Sequence, residues 1–488
     1  SLQLIYGPSG SGKSYTLYKK IIEQSIREPD REFIVIVPEQ FTMQTQRELV
    51  ELHPNRGILN IDVQSFLRLA WRIFEEVGVD THTVLEDTGK NLLLRRVASR
   101  QKNDLTVLGR NFRKPGYISQ VKSIISELKQ YDVSLEELDE QLRSGKKDAL
   151  SYKLQDIRNL YEGFQEELQG KYITSEEILE ELCYVVKKSE ILKGCVVALD
   201  GFTGFTPIQN KLLREMMQTA EKIYVTVTLD AWEDPMKKVS MHKLSYLSKK
   251  TIQQLAGAAK ECGCMLENPE VLGKEGSIRF RSAPALRFLE RHLFRPGNQI
   301  YEAQDSQKLE RELSLHVARD AKAEAEFAAR TIWHLVREEN LRYRDIAVIT
   351  GDMESFGDHM KKELQQKGIP CFIDRTRKLL LNPLVEFLRA ALQIAAKSFR
   401  YESVFRYLRT GLAGLKKDEI DRLENYVLAN GINSRRRWEE PWDEQEEPFK
   451  EKILPPLLAF VDQVREKDGT VRQKTEALYY LMVHYGIE

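Results

Sequence analysis

The chain has 488 residues, and its 74 Lys and Arg balance 74 Asp and Glu to a formal net charge of zero. That balance excludes a uniformly basic nucleic-acid coat and an acidic disordered tail, so any polyanion must be met by local positive charge. With 42% hydrophobic and 30% charged residues, the chain is globular, and its length suggests about two to four domains.

Residues 2–6 form a short apolar run that predicts a strand, followed by a Gly/Ser-rich turn. A helix is expected next, with Leu17, Ile21, Ile22 and Ile26 on one face. The continuous apolar run 33–37 suits a buried parallel strand. A helix over 42–50, a strand over 59–63 and an amphipathic helix over 66–77 complete the alternation of a doubly wound α/β sheet. From about 85 to 190 the periodicity is helical, which reads as an insertion. Strands return at 195–199 and 223–229 around a helix over 208–217.

Residues 236–297 are weakly periodic and carry twelve Lys and Arg against five Asp and Glu, a local net charge of +7. A second α/β unit is expected beyond them. Its strands would be 313–317, 345–350 and 369–373, alternating with helices over 321–338 and 356–367. From Pro383 onward the pattern is helical to the last residue. The expected organisation is 1–84 and 191–300 as two parts of one α/β domain, 85–190 as an insertion, 301–395 as a second α/β domain, and 396–488 as a second, truncated insertion.

Five cysteines, Cys183, Cys195, Cys262, Cys264 and Cys371, show no disulfide spacing, which points to a reducing compartment and a cytoplasmic location. Cys262 and Cys264 lack a second Cys or His pair nearby and read as ordinary thiols. No apolar run reaches the roughly 18 residues of a membrane span, and no secretory leader is evident. The sequence reads as a fragment of something longer.

The chemistry is concentrated in Gly7, Pro8, Ser9, Gly10, Ser11, Gly12, Lys13 and Ser14, which match G-x-x-x-x-G-K-[ST]. The glycines allow backbone angles that turn successive N–H groups inward, and the following helix adds its positive end. Lys13 would reach the β- and γ-phosphates of ATP, and Ser14 would place its hydroxyl on Mg²⁺. A second acidic site fits Asp200, at the end of the apolar run 196–199, as a metal-shell residue. An active helicase-type hydrolase usually follows that Asp with a Glu to polarise water. Here Gly201 follows, and no carboxylate occurs until Glu215. Slow or absent hydrolysis is therefore expected.

An ordered set of segments resembles the B subunit of the AddAB-type (RexAB-type) helicase–nuclease of bacteria. The set comprises residues 4–14, 36–42, 63–70, 126–131 and 199–207. Residues 343–349, 368–370 and 382–387 are similar to the second RecA-like domain of superfamily 1 helicases. The resemblance implies an α/β fold of two RecA-like P-loop domains with large helical insertions. It also implies a partner A subunit that is the motor, and action on duplex ends and single-stranded DNA without a membrane. The B subunit would bind ATP, guide one strand and sense the Chi hotspot, its own motor inactive. A nuclease domain and a 4Fe-4S cluster belong to the full-length family member, not to this fragment. Departures from active helicases agree: residues 225–230 lack the γ-phosphate-sensing pattern, and Thr350-Gly351 stands where active relatives place an arginine.

Candidate DNA contacts are Gln40, Thr42, Ser65 and Phe66, which follow strands, and Lys249 and Lys250 in the basic stretch. Arg435-Arg436-Arg437-Trp438 is a further basic and aromatic segment, expected as a loop. Two rival readings are an active 3′–5′ translocase and a P-loop kinase.

Overall fold

The computed structural model describes every residue except 80–82, 102–103, 110–111, 113, 145–147, 296, 374–378 and 488. The chain divides into two compact units, Ser1–Leu315 and His316–Glu488.

The first unit is built on strands β1 (Leu2–Gly7), β2 (Phe33–Ile36), β3 (Ile61–Gln64), β4 (Thr83–Leu85), β5 (Tyr172–Thr174), β6 (Val196–Leu199), β7 (Lys222–Thr228) and β8 (Glu270–Val271). Six of them form one parallel sheet in the order β3-β2-β6-β7-β1-β8. Helices cover both faces, so β2 and β6 are buried at every position. This is why both strands read as unbroken apolar runs rather than alternating ones. One face packs Leu4, Ile34, Val197 and Leu199 against Leu69, Ile73 and Leu212. The other packs Ile5, Phe33, Val35 and Ala198 against Leu17, Ile21 and Leu49. Each fully buried Leu or Ile contributes about 1.5–3 kcal/mol.

The helices are set by local chemistry. Phe66–Val77 begins where the Ser65 hydroxyl accepts from the Arg68 N–H and ends at Gly78, whose φ of 73° is left-handed. Pro207–Thr219 starts on a Thr206–Gln209 capping box, and Ser175–Val185 on a Thr174–Glu177 box.

The helical insertion holds Asp87–Arg100, Pro115–Gln130, Leu135–Ser144 and Ala149–Leu168 around Leu94, Leu108, Val121, Leu160 and Phe164. Its two ends are tied by β4 and β5, a parallel pair that three-residue segments do not announce in sequence. Inside it, the fully buried Asp156 carboxylate accepts from the N–H groups of Thr106, Val107 and Leu108 at 2.8–2.9 Å.

In the second unit the helices Ala321–Arg337 and Met353–Gln366 pack through Ala325, Ala329, Met360 and Leu364. A separate bundle of helices from Pro383 to His484 buries Phe387, Tyr407, Trp438 and Phe460. The expected strands 313–317, 345–350 and 369–373 do not form, and the second unit has no strand among its described residues. Val317, Ile349 and Phe372 are at least 90% exposed. A strand's N–H and C=O groups need a neighbouring strand, and these segments find none here. The second RecA-like sheet that the pattern and resemblance predict is therefore not formed among the described residues.

Candidate nucleotide site and nucleic-acid surface

β1 ends at Gly7 and the helix Lys13–Arg27 begins six residues later, at the carboxyl edge of the sheet. Between them Gly10 and Gly12 adopt φ of 73° and 90°, left-handed angles that disfavour any residue with a Cβ. Gly12 is the N-cap and offers no side chain to the helix's first N–H groups, which leaves them to an anion. Lys13 Nζ lies across the loop, donating to the carbonyls of Gly7 at 3.2 Å and Pro8 at 3.0 Å. Burial lowers its pKa, with the charge of Asp200 acting in the opposite direction and Arg279 adding to the lowering. Ser14 is half-buried at the start of the helix.

Residues 272–279 brace the loop from outside. The Arg279 N–H donates to the Gly10 carbonyl at 3.1 Å. A Cβ on Gly10 would come within 2.6 Å of Ser277 Oγ and 2.7 Å of Arg279 Cβ, and one on Gly7 within 2.6 Å of the Leu272 carbonyl oxygen. Ser11 Oγ and Ser277 Oγ are both buried with no hydrogen-bond partner.

Asp200 follows β6 and is 5% exposed. β7 lies between β6 and β1, with Leu199 opposite Val225 and Gly7 opposite Thr228. The carboxylate accepts from Tyr18 Oη at 2.7 Å and from Thr226 Oγ1 at 2.5 Å. Both oxygens are thus engaged by protein hydroxyls, where an open metal-facing carboxylate was expected. Among the described residues no group of three or more His, Cys, Asp or Glu is arranged to hold a metal.

Beside the loop lies a cavity of about 410 Å³, bordered by Pro8, Ser9, Phe202, Thr203, Asp230 and Phe294. Arg295 pairs with Asp230 at 2.6 Å and Lys249 with Glu233 at 2.7 Å along its wall. Burial, and then the charge of Asp230, raises the Glu290 carboxyl above the ordinary range. A larger apolar cavity of about 710 Å³ lies in the second unit, along the helix pair whose strands are missing. It is remote from the loop in chemistry: Ile332, Val348, Phe356 and Phe372 are typical of its walls.

The candidate DNA contacts divide sharply. Gln40 is exposed, in the short turn Glu39–Phe41. Thr42 is buried and donates its hydroxyl to the Glu39 carbonyl at 3.1 Å. Ser65 is buried as the N-cap, and Phe66 is buried against the rings of Phe202 and Phe205, at 5.5 and 6.5 Å. These three side chains are committed to the fold rather than presented to a strand. Lys249 is 4% exposed and neutralised by Glu233, which corrects its assignment to a DNA-facing patch. Lys250, Lys237, Lys238, Lys243 and Lys260 are exposed. The segment Arg435–Glu439 is a short helix, not a loop. Its Trp438 is buried at 1% exposure and Arg435 is paired with Glu439 and Asp462.

Tyr18 and Thr226 escaped the sequence reading. The available signal was a phenol on the buried face formed by Leu17, Tyr18, Ile21 and Ile22. A buried hydroxyl must find a partner, but the sequence does not say which.

The family model described as "ADDB, N-terminal" matches residues 4–290. The chain belongs to the ADDB family. Residues 281–455 match the "UvrD-like helicase C-terminal domain". The fold class is accordingly α/β and helicase-like, with the ADDB match covering the sheet, the insertion and the phosphate loop. Similar curated relatives are named as the B subunit of an ATP-dependent helicase/deoxyribonuclease. The one from Lachnoclostridium phytofermentans is 43% identical over 504 residues, covering 100% of this chain and 43% of its own length. That from Clostridium novyi is 33% identical, with the same coverage of each chain. That from Clostridium tetani is 36% identical, over 91% of this chain and 38% of its own. The chain thus spans less than half the length of these relatives. No helix among the described residues is long and apolar enough to cross a membrane.

Proposed function

We propose that this chain is the nucleotide-binding, helicase-like portion of the B subunit of a heterodimeric helicase–deoxyribonuclease, acting in repair of double-strand breaks by homologous recombination. The observation that carries the reading is a phosphate loop with left-handed glycines at Gly10 and Gly12 in a chain matched along its length by subunits of that name. ATP is held with its phosphates against the Lys13–Arg27 helix start and the Lys13 ammonium. Bound Mg²⁺ would neutralise phosphate charge, with the Ser14 hydroxyl as its ligand from the loop.

The absence of a carboxylate after Asp200 supports a motor that does not turn over. Translocation then falls to a partner A subunit, while this chain steers the strand and senses the Chi hotspot in the cytoplasm. The exposed Gln40, Phe41 and Lys250 are the side chains on offer to DNA. Nuclease and iron–sulfur chemistry belong to the remainder of the protein.

Lys13→Ala is expected to weaken binding of a fluorescent ATP analogue by about tenfold or more, since a charge-assisted contact contributes about 1.5–3 kcal/mol. An unchanged affinity removes the reading. Steady phosphate release stimulated by single-stranded DNA would instead make the chain a translocase, and phosphoryl transfer to a small acceptor would make it a kinase. Co-expression with the motor subunit, with and without Lys13, tests hotspot recognition.

A further inference from the structure

We infer that Asp200 is withdrawn from the metal site and works as a positioning residue, tethering the phosphate-loop helix to the sheet through the Tyr18 hydroxyl. The inference rests on the nucleotide reading above and changes what that nucleotide needs.

The phosphate loop itself fits a polyphosphate, but the acidic side of the site does not fit the usual role toward Mg²⁺. Mg²⁺ keeps several waters in a near-ideal octahedron, and an acidic residue serves it by presenting free lone pairs to that shell. Asp200 presents few. It is 5% exposed, Oδ2 accepts from Tyr18 at 2.7 Å, and Oδ1 accepts from Thr226 at 2.5 Å. Its own N–H donates to the Ile36 carbonyl at 3.1 Å, which fixes the residue at the edge of β2 and β6.

Tyr18 is equally constrained. It lies on the second turn of the helix that starts at Lys13 and is 3% exposed. Its hydroxyl is also 3.4 Å from Thr45 Oγ1. Burial, and then the nearby Asp200 charge, raises the phenol above its ordinary range. Turning Asp200 toward a metal's water shell would take the carboxylate acceptor from two buried hydroxyls, leaving Tyr18 only its longer contact with Thr45. Lys13 Nζ makes no ion pair with Asp200, donating instead to the carbonyls of Gly7 and Pro8. Ser14 is left as the loop's own contribution to the metal.

The site that results holds a nucleotide through loop N–H groups and Lys13, with little help from the divalent ion. Asp200 gives it no free carboxylate to orient the metal, and Gly201 none to polarise water. A static nucleotide bound for structure suits this geometry better than a hydrolytic cycle.

The test measures the affinity of the whole chain for a fluorescent ATP analogue in Mg²⁺ and in EDTA, for wild type, Asp200→Asn, Tyr18→Phe and Lys13→Ala. The wild-type affinity is expected to change by less than about threefold between the two conditions. Asp200→Asn should keep that ratio, whereas loss of a true metal-shell residue typically costs about 10–100-fold. Tyr18→Phe frees one carboxylate oxygen and should acquire a Mg²⁺ dependence of about tenfold. Thermal unfolding without nucleotide should show a lower Tm for both Asp200→Asn and Tyr18→Phe, as expected of a tether. The inference is overturned if wild type loses tenfold or more in EDTA and Asp200→Asn abolishes that difference; this comparison stands even if Tyr18→Phe does not fold. Equal binding by wild type and Lys13→Ala would remove the nucleotide reading, and this inference with it.

Discussion

Lys249 and Lys250 are adjacent in sequence and opposite in consequence. Lys249 points into the first unit and pairs with Glu233 at 2.7 Å, while Lys250 is exposed. Lys249→Glu places two carboxylates together in a largely buried site, so it should destabilise the fold by roughly the 3–5 kcal/mol of a broken buried pair and lower the Tm markedly. Lys250→Glu should leave the Tm unchanged and weaken single-stranded DNA binding, reducing the salt-dependence slope by about one. Differential scanning fluorimetry and a salt titration of DNA affinity read the two effects separately. Glu290 gives a pH signature. Its folded pKa is raised by burial and by Asp230, so the stability linked to its protonation is full below the unfolded value of about 4.3 and is lost as pH rises through the folded one. Glu290→Gln should therefore raise the Tm at pH 7, with the gain fading as the pH approaches 4. A gain that persists unchanged at pH 4 would contradict the assignment.

The phosphate loop and its brace form a unit of their own. Gly10 combines a left-handed φ with space for no Cβ, because Ser277 Oγ and Arg279 Cβ would lie at 2.6 and 2.7 Å. Gly10→Ala should cost about 1–3 kcal/mol in strain and loosen the Arg279–Gly10 hydrogen bond. The expected readouts are a lower Tm and weaker binding of the ATP analogue, and retention of both would show that the loop is more plastic than its geometry. The glycines and the lysine were legible beforehand because the loop's requirements fall on contiguous residues. The brace was not, since residues 272–279 carry no periodic pattern and gain meaning only against the loop. The helix Tyr246–Glu261 was likewise hidden. Its buried face is Thr251, Ile252, Leu255, Ala258 and Ala259, small or polar enough to blur the apolar repeat. The strands expected at 313–317, 345–350 and 369–373 failed for the opposite reason. Their composition is right, but a strand is a property of a pair.

Taken whole, the chain is two compact units, Ser1–Leu315 and His316–Glu488, each with its own core. A chain ending at Leu315 should therefore unfold cooperatively and bind the ATP analogue within about threefold of the longer chain, since domains with their own core fold alone. Loss of cooperative unfolding would mean that the sheet depends on residues beyond 315. The zero net charge also has a structure. Residues 236–297 carry +7, yet part of that charge is internal, as Lys249 and Arg295 are spent on Glu233 and Asp230. The basic surface is accordingly smaller than the composition implied.

The doubly wound α/β plan, the helical insertion and the phosphate loop could be read from residues in order, because periodicity and glycine chemistry act over short distances along the chain. The partners of Asp200 could not. Tyr18 stands 182 positions away and Thr226 26 positions away, and they meet only when β6 settles beside β7 beneath the Lys13–Arg27 helix. The same holds for Phe66 and Lys249, whose types suggested a surface for DNA. Packing turned both inward: the Phe66 ring leaves water beside Phe202, and Lys249 lies on the buried face of its helix, where Glu233 offsets the cost of desolvating its ammonium.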